Sequence, residues 1–471
     1  MRRAISSHTP LSLPPAGSHI HIIGIGGIGT SGQARVLARW GYRVTGSDMA
    51  ESDVTLALRA EGLDVRIGHH PALVEGAALV VYSAAVRDED PELSAARGAG
   101  IATVKRAALL GLIANGRAGL AVAGTHGKSS TSAMLAKICI DAGRDPSFFV
   151  GAILRDFGTN ARPGGGELVV VEADEYDRSF LQLAPQVAIV TTVEADHPDT
   201  YPTYAEMEQA YLDFLGQVRA GGTILVSADD PGVAALLPRL VLAPGVTLLR
   251  YGRAADANWR IVPDGAGERV LQRGESVATL TMPVPGEHMR RNALAALGAA
   301  AAVGIAPTAA AASLAGFGGT GRRFELKGEA RGITVIDDYA HHPTEVAVNL
   351  QAARDRFPGR PLWVVFQPHT YSRTKLLLRE FAEALALADR LVLLDIYASR
   401  ERDTLGMSSD DLLPLLPAPE TVLRPARPDD AVAALLDEQR AGRLATGAVV
   451  LTFGAGDVTE VGPQFLAGLA E

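Results

Sequence analysis

The sequence predicts an α/β protein built as three open α/β domains in tandem, and three observations carry that expectation. Short apolar runs alternate with helical patterns along the whole chain. Two of those runs open into glycine-rich loops of different kinds, about one domain apart. A glycine cluster, Gly316-Phe317-Gly318-Gly319-Thr320-Gly321, then separates a third set of alternating segments. The length of 471 residues agrees, since a prior of roughly 150 residues per domain gives about three.

The first unit reads as strands at 19–23, 42–45, 64–67, 78–82 and 101–104, and ends near Ala114-Asn115-Gly116. Its first strand leads into Gly24-Ile25-Gly26-Gly27-Ile28-Gly29 and the amphipathic stretch 31–40. Such a loop gives a tight turn, lets a phosphate approach the backbone and packs the helix closely, and Asp48 stands where an acid would meet a ribose. Taken alone it would indicate an NAD(P)-dependent oxidoreductase. The second glycine loop argues otherwise, because hydride transfer has no use for a triphosphate site. The first loop is therefore expected to hold the diphosphate of another nucleotide.

The second unit begins with an apolar strand at 119–123 that opens into Gly124-Thr125-His126-Gly127-Lys128-Ser129-Ser130 and a helical run. Backbone N–H groups at such a helix start cradle an anion, Lys128 reaches terminal phosphates, and the Ser129 hydroxyl is placed to ligate Mg²⁺. Val122 occupies the position of the usual first glycine, so the loop is a shortened variant. Further strands are expected at 167–172, 187–192, 223–227 and 247–251, then a strand-rich segment at 259–285 and an alanine-rich helix at 292–303, within an alanine-rich stretch, 293–315, of helical period. Two strands end in acids, Glu172-Ala173-Asp174-Glu175 and Glu194-Ala195-Asp196-His197. Buried carboxylates are costly unless paired or metal-bound, and beside a phosphate loop they supply the oxygen donors of a Mg²⁺–triphosphate site. Beyond the glycine cluster, strands at 333–336, 362–366, 390–394 and 448–453 form the third sheet.

Composition narrows the function. A net charge of −9 argues against nucleic-acid binding, and no apolar run approaches the ~20 residues of a membrane span. The lone Cys139 cannot form a disulfide within the chain and reads as a small buried apolar residue, compatible with a reducing cytoplasm. Residues 1–17 carry Pro10, Pro14 and Pro15 without an apolar core, and are expected to be a flexible lead-in, not a signal. The expected domains are thus 18–116, 117–320 and 321–471. His126, His342 and Asp337 read equally well as hydrogen-bonding groups that order their loops.

In this order the motifs resemble the Mur ligases, ATP-dependent amide-forming enzymes of peptidoglycan precursor synthesis. To the loops and acids above are added Gly158-Thr-Asn-Ala-Arg162, Gly286-x-His-x-x-x-Asn292, Arg322-Arg-Phe-Glu325 and Asp337-Asp-Tyr-Ala-His-His-Pro-Thr-Glu345. Phe366-Gln-Pro-His369 with Tyr371-Ser-Arg-Thr374, and Gly454-Ala-Gly-Asp457, complete the set. The resemblance implies a Rossmann-like N-terminal domain, a P-loop ATPase-like central domain and a Rossmann-like C-terminal domain. It implies ATP with two Mg²⁺ ions, one held by Ser129 and Glu172 and a second by His197. Asn292 would contact adenine, with Arg323 and Asp338 on the far side of the nucleotide. Tyr339, His341, His369 and Arg373 would hold an amino acid. Gly24, Gly26, Gly27, Gly29 and Asp48, with Asn160 and Arg162, would take a UDP-linked sugar substrate.

Members that add later amino acids use a carbamoylated lysine, and this chain has no lysine between Lys137 and Lys327. That leaves the members adding L-alanine to UDP-N-acetylmuramate and those recycling a whole tripeptide onto it. Glu175-Tyr176 leans towards recycling; Asp337–His342 and His197–Tyr201 lean towards alanine. Met289 and Thr370 depart from the family pattern at a nucleotide and an amino-acid position. The resemblance further implies a cytoplasmic monomer or weak homodimer.

Overall fold

The computed structural model describes residues 12–83, 85–265 and 267–470. Most of the expected lead-in, residues 1–11, lies outside them. Residues 14–17 lie on the first unit: the Tyr42 hydroxyl donates to Pro14 O, and Gly17 N–H to Gly41 O.

Three sheets follow one another. The first holds β1 (His19–Ile23), β2 (Arg43–Asp48), β3 (Asp64–Ile67), β4 (Leu79–Tyr82) and β5 (Ala102–Lys105), all parallel, in the order β3-β2-β1-β4-β5. The order reverses between β1 and β4, and the glycine loop leaves β1 at that switch point, where open α/β sheets bind ligands.

The second sheet has ten strands. Its parallel centre is β6 (Ala118–Ala123), β7 (Ser147–Leu154), β9 (Leu168–Glu172), β10 (Val187–Val190), β11 (Thr223–Ser227) and β12 (Thr247–Gly252), with β8 (Thr159–Arg162) antiparallel on β7. β13 (Trp259–Asp264), β14 (Gly267–Gln272) and β15 (Glu275–Leu280) extend the other edge as an antiparallel meander. Helices cover both faces, so β6, β9 and β10 are nearly continuous runs of buried Val, Leu, Ile and Ala. The helix expected at 292–303 runs Glu287–Ala302, starting a turn earlier, and the rest of the alanine-rich stretch forms a second helix, Pro307–Ala315, with Pro307 at its first position, where a missing N–H costs nothing.

The third sheet runs β16 (Glu325–Ala330), β17 (Ile333–Asp338), β20 (Val449–Phe453), β18 (Leu362–Phe366) and β19 (Arg390–Leu393). All pairs are parallel except β16–β17. The strands β7, β8 and β16 are absent from the sequence reading. β16, Glu-Leu-Lys-Gly-Glu-Ala, is only partly buried and shows no apolar run, whereas β7 is apolar and mostly buried and escapes that reading because Gly151 breaks its run.

The glycine cluster is tied down along its length. Gly318 N–H donates to Asp156, Arg155 N–H to Gly319 O, and Gly321 N–H to Ile153 O, which clips the linker to the β7–β8 turn. Gly319 has φ +87°, a conformation open to glycine but strained for other residues.

Candidate active site at the junction of the three sheets

The phosphate loop leaves β6 and enters the helix Lys128–Asp141 through Gly127, at φ +81°. The loop is pinned to the end of β10: Thr125 N–H donates to Thr192 O and His126 N–H to Thr192 Oγ1, while Thr191 Oγ1 donates to His126 O. Asn292, on the helix Glu287–Ala302, lies so close that a Cβ on Gly127 would meet its Oδ1 at 2.7 Å.

Lys128 Nζ donates to Gly124 O and to the Glu175 carboxylate, both at 2.8 Å. Burial opposes its charge, yet Glu175, Asp174 and Glu172 outweigh that and raise its pKa above the usual lysine value. Ser129 Oγ donates to Glu172 Oε1 at 2.9 Å, so hydroxyl and carboxylate already face one point beside the loop. Burial raises the Glu172 pKa, a cost a cation would relieve.

His197 sits at φ +51°, with Nε2 3.5 Å from Glu175 and 3.6 Å from Asp196. Asp174, Glu175 and His197 offer donor atoms within 4.8 Å of one another. Glu175 is buried, His197 partly so and Asp174 exposed, and two oxygen donors with an imidazole in negatively charged surroundings fit a divalent cation. Tyr201 orders this turn by donating to Glu175 O at 2.6 Å.

On the third unit, His341, His369, Arg373 and Tyr339 come together. The His341 ring lies 5.7 Å from that of His369 and 5.1 Å from that of Tyr339, and Arg373 Nη1 is 3.1 Å from His369 Nδ1. Burial lowers His341 to about 3 and His369 to about 4, so both rings are neutral near pH 7. His341, whose Nδ1 faces Tyr339 O, keeps Nε2 to accept from an ammonium group, while the acceptor nitrogen of His369 is taken by Arg373. Asp338, at the end of β17, accepts from Phe324 N–H and Ala340 N–H; burial pushes it up to about 7. A cavity of about 110 Å³ collects His126, Ser129, Asn292, Arg323 and Asp338 from the second and third units, with Met289 in its wall.

A larger cavity, about 470 Å³, runs from Gly27 and Gly29 past Asn160 to Glu172 and Asp174. It joins the first glycine loop to the acids beside the phosphate loop. Gly24 and Gly26 do not line it, and Asp48 spends a carboxylate oxygen on Gly26 N–H at 2.8 Å. Arg162 is turned to Asp145 and Pro146 O, so it too is outside the lining.

Several participants escaped the sequence reading. Arg106 lines the larger cavity opposite Gly29; it follows β5 directly, and nothing in its neighbourhood marks it as special. Glu175 and Asp196 lay within quoted motifs but were passed over for Glu172 and His197. Asp196 accepts from Arg373 Nε at 2.9 Å and Nη2 at 2.8 Å, an ion pair buried between the second and third units. Glu345, also within a quoted motif, reaches from the third unit to His126.

A phosphate loop beside paired acids, faced by a third sheet that carries cations and neutral imidazoles, is the arrangement of an ATP-using transferase or ligase. Residues 19–118 match the catalytic domain of the Mur ligase family, 122–300 its middle domain and 322–456 its glutamate ligase domain. The chain belongs to the Mur ligase family. It is 43% identical to the UDP-N-acetylmuramate–L-alanine ligases of Mycolicibacterium gilvum and of Streptomyces coelicolor. In each case the match covers 98% of this chain and 99% of the relative. Among solved structures, the UDP-N-acetylmuramate-alanine ligase of Thermotoga maritima matches with a TM-score of 0.73 and 26% identity, over 96% of this chain and 99% of that one. The fold is also that of a murein peptide ligase from Psychrobacter arcticus, with a TM-score of 0.67 at 24% identity over 97% and 99%.

Proposed function

We infer that this protein is an ATP-dependent ligase that joins L-alanine to the lactyl carboxylate of UDP-N-acetylmuramate, in peptidoglycan precursor synthesis. The observation that carries this reading is the convergence, at one junction, of the phosphate loop with Glu172, the larger cavity leading to it, and the His341–His369–Arg373 cluster. The near-complete coverage of alanine ligases at 43% identity supports it over tripeptide recycling. The match of residues 19–118 to the same family removes the basis for an oxidoreductase, which rested on Gly24–Gly29 and Asp48 alone.

The chemistry follows from the charges. The substrate carboxylate attacks the γ-phosphate of ATP, giving an acyl phosphate and ADP; the amine then attacks the acyl carbon and phosphate leaves. Negative charge gathers on the transferring phosphoryl group and then on the tetrahedral oxygen, so fixed cations stabilise both steps. Lys128 exchanges Glu175 for the β- and γ-phosphates. Arg323 approaches from the third unit, and Asp338 and Asn292 hold the nucleoside. Gly27, Gly29 and Arg106 face the UDP diphosphate, with Asn160 towards the sugar. Ser129 and Glu172 are the donors for one Mg²⁺, and His197 with Asp174 or Glu175 for a second; bound there, the cations neutralise phosphate charge. Neutral His341 accepts from the alanine ammonium through Nε2, and Arg373, held on one edge by Asp196 and steadied at Nη1 by His369, meets the alanine carboxylate. Closure of the third unit excludes water, which protects an acyl phosphate from hydrolysis.

We place the enzyme in the cytoplasm, as a monomer or weak homodimer; no helix among the described residues is long and apolar enough to cross a membrane. The test is phosphate release with ATP, Mg²⁺ and UDP-N-acetylmuramate, adding L-alanine, glycine, L-serine or the tripeptide in turn. Release highest with L-alanine supports the reading. Release with the tripeptide alone would replace it.

A further inference from the structure

His126 lies inside the phosphate loop, yet its ring points away from Lys128, into the seam between the second and third units. Its Nε2 is 3.3 Å from Glu194 Oε2 on its own unit, and its Nδ1 is 3.2 Å from Glu345 Oε1 on the other. A neutral imidazole carries one N–H and can donate to only one of these carboxylates. Donation to both requires the imidazolium. Burial opposes that charge, but Glu194 and Glu345 overcome it and raise the pKa to about 9. Around this ring among the described residues also lie His342, whose ring centroid is 4.6 Å away, Arg323, whose Nη1 is 3.5 Å from the same Glu345 oxygen, and Asp230, close enough for the His126 charge to act on its carboxyl.

Glu345 faces both ways. It lies in the first turn of the helix Pro343–Arg356, capped by His342. While one oxygen meets His126, the other accepts from the backbone N–H of His341 at 3.0 Å. His341 Nδ1 then donates to Tyr339 O at 2.9 Å, leaving Nε2 as the acceptor edge of the ring. The neighbouring Thr344 hydroxyl donates to Glu194 Oε2 at 2.7 Å, a second link across the seam. A single carboxylate thus connects the phosphate loop of one unit to the amino-acid pocket of the other.

We propose that His126 and Glu345 are positioning residues that couple the phosphate loop to the amino-acid site, Glu345 holding His341 in its binding pose only when the third unit has closed onto His126. This rests on the ligase reading above and adds to it an ordering: the pocket for the amine is completed by closure over the loop, and not by the third unit alone.

The test is Glu345→Gln, which keeps the size and an oxygen for the His341 N–H but removes the anion facing His126, with His126→Gln approaching the same contact from the other unit. Losing a charge-assisted hydrogen bond predicts a rise of about tenfold to a hundredfold in KM for L-alanine, with KM for UDP-N-acetylmuramate within about twofold. The double variant should be no worse than the weaker single variant, as expected of one shared contact. The pH profile separates this from a general loss of structure. The His126 pKa is raised in the closed form, so its contribution is present below that value and fades as pH rises through about 9. In Glu345→Gln one of the two supporting carboxylates is gone, and the alkaline rise in alanine KM should move to lower pH. Wild-type turnover with L-alanine is the control, and its absence would overturn the ligase reading itself. Turnover in the wild type, together with variants of unchanged alanine KM and an unmoved alkaline limb, would overturn the coupling proposal alone.

Discussion

Removing Asp196 should open the enzyme. Both Arg373 contacts, Nε at 2.9 Å and Nη2 at 2.8 Å, fall on one oxygen of Asp196, and the two side chains are only 6% and 5% exposed. Burial disfavours the carboxylate, but Arg373 holds its pKa well below the ordinary range. In Asp196→Ala the closed form keeps a buried guanidinium with no counter-charge, at a cost of about 3–5 kcal/mol. The molecule can avoid that cost by separating the second and third units and hydrating Arg373. The loss therefore appears as a shift of the closed-to-open ratio by roughly 10²–10⁴-fold, at about 1.4 kcal/mol per factor of ten, not as unfolding. Asp196→Asn keeps an acceptor oxygen and should fall between. The assay is steady-state turnover against L-alanine, paired with small-angle scattering in the presence of an ATP analogue and the UDP substrate. Expected are a fall of about 10² in kcat/KM for alanine and a larger radius of gyration, with UDP-substrate affinity unchanged. Wild-type alanine KM and an identical scattering profile in Asp196→Ala would refute the reasoning.

Lys128→Ala should lose at least ~10²-fold in turnover through a missing transition-state cation, and should also lower the melting temperature, because Glu175 is fully buried against Lys128. Adding Glu175→Gln should recover the melting temperature but not the activity; recovery of both would show that Lys128 serves only as a counter-ion. Gly124→Ala should weaken ATP binding by at least about tenfold, since the site has φ +130° and an added Cβ would stand 2.0 Å from Thr191 Oγ1, the hydroxyl that pins the loop. A thermal shift with ATP equal to that of the wild type would contradict it.

The glycine cluster at 316–321 reads from the sequence as a linker before the third unit. Its backbone is clipped to the β7–β8 turn, and proline at 318 or 319 would remove the donor to Asp156 or demand a negative φ where Gly319 is positive. Motion of the third unit is thus opposed as much by contacts across the seam, Arg373–Asp196, His126–Glu345 and Thr344–Glu194, as by the stiffness of the linker.

The amino-acid order by itself determined the three sheets, because strands buried on both faces must be apolar runs, and β1, β6, β9, β18 and β20 are such runs. It also determined both glycine loops, since close backbone approach to an anion restricts those positions to residues without bulk. The partly exposed strands β8 and β16 left no such trace. Pairings between distant residues left none either. Arg373 lies 177 positions from Asp196 and Glu345 lies 219 from His126, and no local pattern connects them. Which carboxylate neutralises Lys128, which cation faces the larger cavity, and whether Arg162 points into it were decided by how the three sheets pack. Burial and charge pairing act through space, and only the tertiary structure brings those groups together.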